Sequence, residues 1–162
     1  MILNLIKSVF QLLLAFLLVI CFCSCATRSY SGYKYRPYTV RGVHYCPLAP
    51  RRAVGFVEYG TASHYTEGWL LFPGKTALGE RFDGSAMEGA HRILPLPCRI
   101  RVTNLRNGRS VILRINDRGP FIRGRILDVT PAAAKKLGFY RSGLARVRIK
   151  VLSVGDGRYR IH

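Results

Sequence analysis

Eight acidic residues face 26 lysines and arginines. Any acid–base chemistry must therefore fall on Glu58, Glu67, Glu80, Asp83, Glu88, Asp117, Asp128 or Asp156. Asp117 stands out by position. In Ser110–Pro120, S-V-I-L-R-I-N-D-R-G-P, a period of two puts Val111, Leu113, Ile115 and Asp117 on one face, with Ile112, Arg114 and Asn116 on the other. The acid continues an apolar face just before a Gly-Pro turn. Desolvation there favours the protonated carboxyl, the form that a general acid needs. Two other readings stay open. Asp117 can cap the turn through its own backbone, or the turn can bring Arg118 or Arg123 close and favour the carboxylate. Glu80 sits in a Gly-containing loop, T-A-L-G-E-R-F-D, where a lone Glu is ordinarily solvated. His91 precedes Ile93-Leu94-Pro95, and a lone histidine is more often a structural hydrogen-bonder than a catalyst. Asp128, at a strand end before a helix, is placed to bond helix-start amides.

The elements that must position these groups are short strands. Arg99–Leu105 and Ser110–Asp117 alternate, and Asn107-Gly108 between them is a two-residue hairpin signal. Gly124–Val129 is a further strand. In Ala145–Leu152, Val147, Ile149 and Val151 face in while Arg146, Arg148 and Lys150 face out. One helix interrupts: Thr130 is its N-cap, Pro131 sits at N1, and Gly138 stops it. Many short strands with one small helix indicate a compact all-β barrel.

A chain of 162 residues with 49% apolar content is one domain. Two large domains and a disordered tail protein are both excluded. The +18 charge first suggests nucleic acid, but a basic surface equally suits a membrane face or a cell wall; no nucleic-acid partner is expected. The start of the chain favours the envelope. One positive charge in Met1–Lys7 precedes an apolar-dominated run of about 15 residues, and small residues follow at Ser24, Cys25 and Ala26, the layout of a secretory signal. The run is short for a membrane span unless Cys23–Ala26 are counted in. Phe22-Cys23-Ser24-Cys25 resembles a bacterial lipobox in which Cys25 becomes the lipidated first residue, although Phe22 and Cys23 depart from its usual residues. Ala26 is not an acidic retention signal, so by that resemblance the outer membrane is the expected destination. The chain then divides into a signal peptide over 1–24, a basic tether over 25–54, a barrel domain over 55–153 and a tail over 154–162. The tether carries Tyr30, Tyr33, Tyr35, Tyr38 and Tyr45; disorder is expected of it, with docking of these tyrosines on the domain or on glycan as the alternatives. Cys46 and Cys98 form an even pair in an oxidising compartment, either bonded or as separate thiols. No C-x-x-C or His/Cys cluster appears, so no metal site is expected.

Five ordered motifs share a further likeness. They are G-T-A-S-H-Y at 60–65, G-K-T-A-L-G-E-R-F-D at 74–83, A-M-E-G-A-H-R-I-L-P-L-P at 86–97, the run from Arg101 to Phe121 containing N-D-R-G-P, and G-R-I-L-D-V-T-P-A-A-A-K-K-L-G at 124–138. Together they closely resemble the rare lipoprotein A family of bacteria over about Gly60–Leu152. The resemblance implies a six-stranded double-psi β-barrel with one or two short helices, the fold of expansins. It implies a lytic transglycosylase acting on peptidoglycan glycan strands in wall remodelling or daughter-cell separation. The MurNAc C6 hydroxyl attacks its own C1 and leaves a 1,6-anhydro end. One carboxyl group then suffices where ordinary glycosidases use two. By the resemblance, Asp117, Glu80 and His91 are the catalytic set. Asn116, Arg118 and Tyr65 contact sugar, and Trp69 and Phe72 are stacking or core residues. No cofactor is implied. A non-catalytic, expansin-like wall binder is the alternative, and a hydrolase would need Glu80 or Asp128 as its second carboxylate. Some positions depart from the family pattern: Glu88-Gly89 precedes Ala90-His91, where an extra carboxylate would raise the pKa of His91; His64 precedes Tyr65; and the segment 65–73 differs in detail. Ten residues follow Leu152, so no glycan-binding repeat domain is expected there.

Overall fold

The computed structural model describes residues 33–65, 74–156 and 162. Cys25, Tyr30, Glu67, Trp69 and Phe72, with the signal and lipidation readings, lie outside the described residues. The elements run β1 (Tyr38–Val40), β2 (Val43–Tyr45), α1 (Pro50–Ala53), β3 (Val57–His64), β4 (Glu88–His91), β5 (Cys98–Asn104), β6 (Ser110–Asp117), β7 (Arg125–Val129), α2 (Pro131–Leu137) and β8 (Leu144–Val154). Strands β3 to β8 close into a six-stranded barrel in the order β3-β7-β4-β6-β5-β8. Two of its ladders are parallel, β3 with β7 and β4 with β6. The others are antiparallel.

The alternation read from the sequence fills the interior. Ile100 and Val102 of β5, Leu113 and Ile115 of β6, and Val147, Ile149 and Val151 of β8 are buried, with Leu127 and Val129 of β7. Each such side chain contributes about 1.5–3 kcal/mol of transfer free energy. Helix α2 covers the core with Ala133, Ala134 and Leu137. Its ends are as expected: the Thr130 hydroxyl oxygen accepts from the Ala133 N–H, and Gly138 closes the helix at φ 76°.

Two features differ from the sequence reading, and a third answers a question it left open. The β5–β6 connection is longer than a two-residue turn. The last pair is Thr103 with Ser110, and Gly108 has a positive φ while Asn107 does not, so the turn lacks the paired left-handed residues of type I′. Asn107 instead donates to the Leu137 carbonyl at the end of α2. Second, the described part of the tether is ordered. Lys34 and Leu96 exchange two backbone hydrogen bonds, Leu48 N–H donates to Ile93, the Tyr38 hydroxyl donates to the Arg92 carbonyl, and Ala53 of α1 enters the core. The expected disorder is thus corrected for this stretch, which docks on the domain. Third, Cys46 is exposed, Cys98 is buried and both are free thiols, with burial pushing the Cys98 thiol up to about 12.

Candidate active site

The register draws four strands into one row. Ser63 pairs with Asp128, Asp128 with Ala90, and Ala90 with Asp117. The two carboxyl-bearing residues thus flank the strand that carries Ala90. Their backbones stand roughly 10 Å apart, two strand spacings. The gap between them is lined by small groups: a Cβ on Gly119 would meet Ala90 Cβ at 3.8 Å and Asp128 Oδ2 at 3.9 Å. A shift in the β4–β6 register between Gly89 and Ala90 passes over Asn116. This lets the last residue of β6 reach the row.

Asp117 is 9% exposed. Its Oδ1 accepts the Ala77 N–H at 2.7 Å and the N–H of Arg118 at 2.8 Å. Oδ2 accepts from the Tyr65 hydroxyl at 3.3 Å. The turn-capping role foreseen for Asp117 is therefore present on Oδ1, while Oδ2 faces the Tyr65 hydroxyl. Tyr65 stacks edge-on against Phe82 at 4.9 Å. Burial first, then the Asp117 and Asp128 carboxylates, push its phenol far above its ordinary pKa. Tyr65 is thus a neutral hydroxyl at every working pH.

Glu80 lies on the other side of the loop that delivers Ala77. Arg114 grips it in a fork, Nη1 to Oε2 at 2.6 Å and Nη2 to Oε1 at 2.9 Å, and Asn116 Nδ2 donates to Oε2 at 3.0 Å. Within the loop, Thr76 N–H bonds the Glu80 carbonyl and Leu78 N–H bonds the Asn116 carbonyl. The fork pins the 76–80 turn, and the turn aims the Ala77 N–H at Asp117. Arg114 also donates to Asp156 at 2.9 Å and stands 3.6 Å from Glu88. Burial opposes its charge, but Glu80 and Asp156 outweigh that and raise its pKa. Burial pushes the Glu88 carboxyl up, against the pull of Asn116 and Arg114.

His91 is 1% exposed. Its Nδ1 accepts the N–H groups of Ile93 and Leu94, both at 3.2 Å. This makes Nε2 the protonated nitrogen, which donates to Glu58 at 3.0 Å. Burial lowers the pKa of His91, with Glu58 opposing. The carboxylate foreseen near it, Glu88, faces Arg114 instead, and Glu58 of β3 takes that place. Because the folded site keeps His91 neutral, only the unfolded chain takes up a proton as pH falls below about 6.5. The stability from this site is full above that pH. It declines as pH drops, and the decline ends once pH passes the lower folded-state value. His91→Gln is expected to flatten this dependence in thermal melts between neutral and mildly acidic pH. An unchanged slope would mean that His91 charges in the folded state.

Arg118 donates to the carbonyls of Leu94 at 2.5 Å, His91 at 3.3 Å and Lys34 at 2.8 Å, and lies 5.2 Å over the Tyr38 ring. It ties the N-terminal strap and the β4–β5 turn to the end of β6. Asp128, read as a helix-start ligand, accepts the Ser63 hydroxyl, and Thr130 alone caps α2. Burial raises the Asp128 pKa, with Ser63 opposing. Sequence reasoning passed over the partnering roles of Arg114, Glu58 and Ser63. The signal available for Arg114 was its two-residue spacing from Asn116 on one strand face. Among the described residues, no group of three His, Cys, Asp or Glu side chains is arranged to hold a metal.

Gly89 holds the row together. A Cβ there would lie 2.6 Å from the Asp128 carbonyl oxygen, a backbone atom fixed by the β4–β7 ladder. Gly89→Ala is expected to lower stability by about 1–3 kcal/mol in denaturant titration. An unchanged midpoint would show that β7 yields without cost.

Comparison with known proteins agrees with this arrangement. The chain is 50% identical over 117 residues to the endolytic peptidoglycan transglycosylase RlpA of Pseudomonas aeruginosa strain UCBPP-PA14, covering 72% of this chain and 33% of that protein. The protein of the same name from Neisseria meningitidis strain Z2491 is 47% identical over 121 residues, 75% of this chain and 49% of the relative. That from Rickettsia bellii is 46% identical over 127 residues, 76% and 54%. The chain thus spans about a third to a half of the length of the curated relatives it matches. The family model described as lytic transglycolase matches residues 57–149, from the first barrel strand into the last. With that span, and with the closed double-psi barrel around it, the chain belongs to the lytic transglycolase family.

Proposed function

We propose that this chain is an endolytic peptidoglycan lytic transglycosylase that cleaves the MurNAc–GlcNAc bond and leaves 1,6-anhydro ends. The observation that carries the reading is the divided Asp117 carboxyl. Oδ1 is committed to two N–H donors, and Oδ2, beside the Tyr65 hydroxyl, is left for proton exchange. In the reaction, Oδ2 protonates the glycosidic oxygen as the C1–O bond breaks. The C6 hydroxyl of the same sugar forms the new bond to C1, and its proton returns to Oδ2. Atoms balance without water and the carboxyl is regenerated. Glu80 and His91 act as positioning residues, Glu80 by setting the Ala77 N–H and His91 by setting the 91–94 turn that Arg118 grips. Tyr65 and Asn116 border the cleft. Next to Tyr65, His64 stacks on Tyr140 at 4.7 Å. There a cavity of about 500 Å³ is lined by Lys135, Gly138, Tyr140 and Arg141, whose two cations suit a carboxylate-bearing glycan.

The same reading places the protein on the periplasmic side of the envelope, anchored through a lipid on Cys25 and directed to the outer membrane, with glycan strands as its partner. Labelled palmitate recovered on the wild-type chain and absent from Cys25→Ala tests the anchor. The activity is tested by incubating purified glycan strands with the protein and identifying new ends by mass spectrometry. Ends one water lighter than a reducing sugar support the reading. Intact strands that nonetheless retain the protein would leave a wall binder. New reducing ends would instead give Asp128, across the row from Asp117, the role of activating water.

A further inference from the structure

Asp117 has a neighbour outside the span of the family model, which begins at residue 57. Lys34 of the N-terminal strap approaches the acid in two directions. Its ammonium donates to the Ala77 carbonyl at 2.5 Å. Its own carbonyl accepts from Arg118 Nη2 at 2.8 Å. Ala77 and Arg118 are the two residues whose N–H groups meet Asp117 Oδ1, at 2.7 and 2.8 Å. One strap residue therefore grips both suppliers of the carboxyl's fixed oxygen. Lys34 is itself held in place. Its backbone exchanges two hydrogen bonds with Leu96, and four residues on, the Tyr38 ring lies 5.2 Å from the Arg118 guanidinium.

We propose that Lys34 is a positioning residue for Asp117, so that the strap completes the active site. The Ala77–Leu78 peptide is met at both ends, its carbonyl by Lys34 and its N–H by the Asn116 carbonyl at 3.3 Å. A cation on the carbonyl polarises that peptide and strengthens the N–H bond to Asn116, the residue before Asp117. With this peptide fixed, the preceding peptide, which carries the Ala77 N–H, has less freedom to swing away from Oδ1. The Arg114 fork on Glu80 pins the far end of the same turn, and Lys34 pins the near end. Lys34 is exposed, and an exposed ion contact adds little stability. Its effect therefore falls on the aim of the turn and not on the hold of the fold. The consequence for catalysis rests on the function proposed above; the grip of Lys34 on the turn does not.

The test uses the full chain in detergent micelles, with Lys34→Met, which keeps the length without the charge, and Lys34→Arg, which keeps a cationic donor. Backbone amide exchange is followed at Ala77, against Leu96, whose N–H donates to the Lys34 carbonyl and reports docking of the strap. Lys34→Met is expected to speed Ala77 exchange about 5-fold, the upper end for an exposed ion contact. It should leave Leu96 exchange and the thermal midpoint unchanged, and Lys34→Arg should restore the slow rate. In the glycan assay kcat should fall by a similar factor in Lys34→Met, with KM unchanged. An unchanged Ala77 rate would overturn the proposal. So would equal acceleration at Leu96, which would make Lys34 an anchor of the strap alone, or a faster Ala77 amide with kcat unmoved. If the wild type releases no new ends, the proposed function fails, and the Ala77 and Leu96 rates still decide whether Lys34 positions the turn.

Discussion

Asp117→Asn is expected to lower the rate of new glycan-end formation on the order of 1,000-fold while leaving the fold in place. The substitution is nearly isosteric. An amide oxygen can still accept the Ala77 and Arg118 N–H groups that hold Oδ1, and the amide nitrogen can still meet the Tyr65 hydroxyl. What is lost is a proton that can leave and return. The loss should appear in kcat, with glycan binding largely retained, and the thermal midpoint should move little. Tyr65→Phe makes the contrast. It removes a hydroxyl 3.3 Å from Oδ2 but no proton-transfer group, so its effect should be much smaller. If Asp117→Asn kept activity within about ten-fold, less than proton transfer contributes, the proton would have to come from elsewhere, with Asp128 the next carboxyl in the row.

The second large effect is expected at Arg114. One guanidinium there faces Glu80, Glu88 and Asp156. Arg114→Leu would leave three acids crowded at the mouth of the 76–80 turn. Removing one partner of a largely buried ion cluster costs on the order of 2–4 kcal/mol, below the fully buried case because the groups keep some solvent contact. Activity should fall further than stability, because the turn that aims the Ala77 N–H at Asp117 loses its anchor. Arg114→Lys keeps the charge without the fork, so it should restore much of the stability but less of the activity. That split separates a positioning role from a purely structural one. Equal recovery of both would show that charge alone suffices. Glu80→Gln, which keeps an acceptor for Arg114 and Asn116, is expected to be milder than either in denaturation midpoint and rate.

The sequence made some parts of this architecture plain for physical reasons. Strands β5, β6, β7 and β8 carry large β-branched residues at alternate positions, because their inner face is the core and their outer face meets water. Helix α2 declared itself through Thr130, Pro131 and Gly138, residues whose backbone demands are local. Strands β3 and β4 had no such signal. β3 buries Gly60, Ala62 and Ser63, and β4 is E-G-A-H. They are small because neighbouring backbones press against them, as the contact between the Gly89 position and the Asp128 carbonyl shows. Those pairings join residues as distant in sequence as Val57 and Lys150, which no local period records. The family resemblance supplied what periodicity could not, the psi topology.

The site was legible in the same uneven way. Asp117 announced itself as an acid on an apolar face. The fork on Glu80, the Glu58 partner of His91 and the carbonyl clamp of Arg118 depend on contacts between distant strands. Arg118 was read as a sugar contact alongside the family resemblance; in the fold it donates to the carbonyls of residues 34, 91 and 94. The strap over 33–54 looked like a tether because its tyrosines and prolines follow no period. Its order comes from the Arg118–Tyr38 contact and from pairing at Leu96.

The central claim is that the sugar's own hydroxyl, and not water, takes the broken bond. Digesting glycan strands in heavy-oxygen water tests it most directly. The account predicts new ends one water lighter than a reducing sugar and free of label, made by wild type and not by Asp117→Asn. Label at C1 of new reducing ends would contradict it.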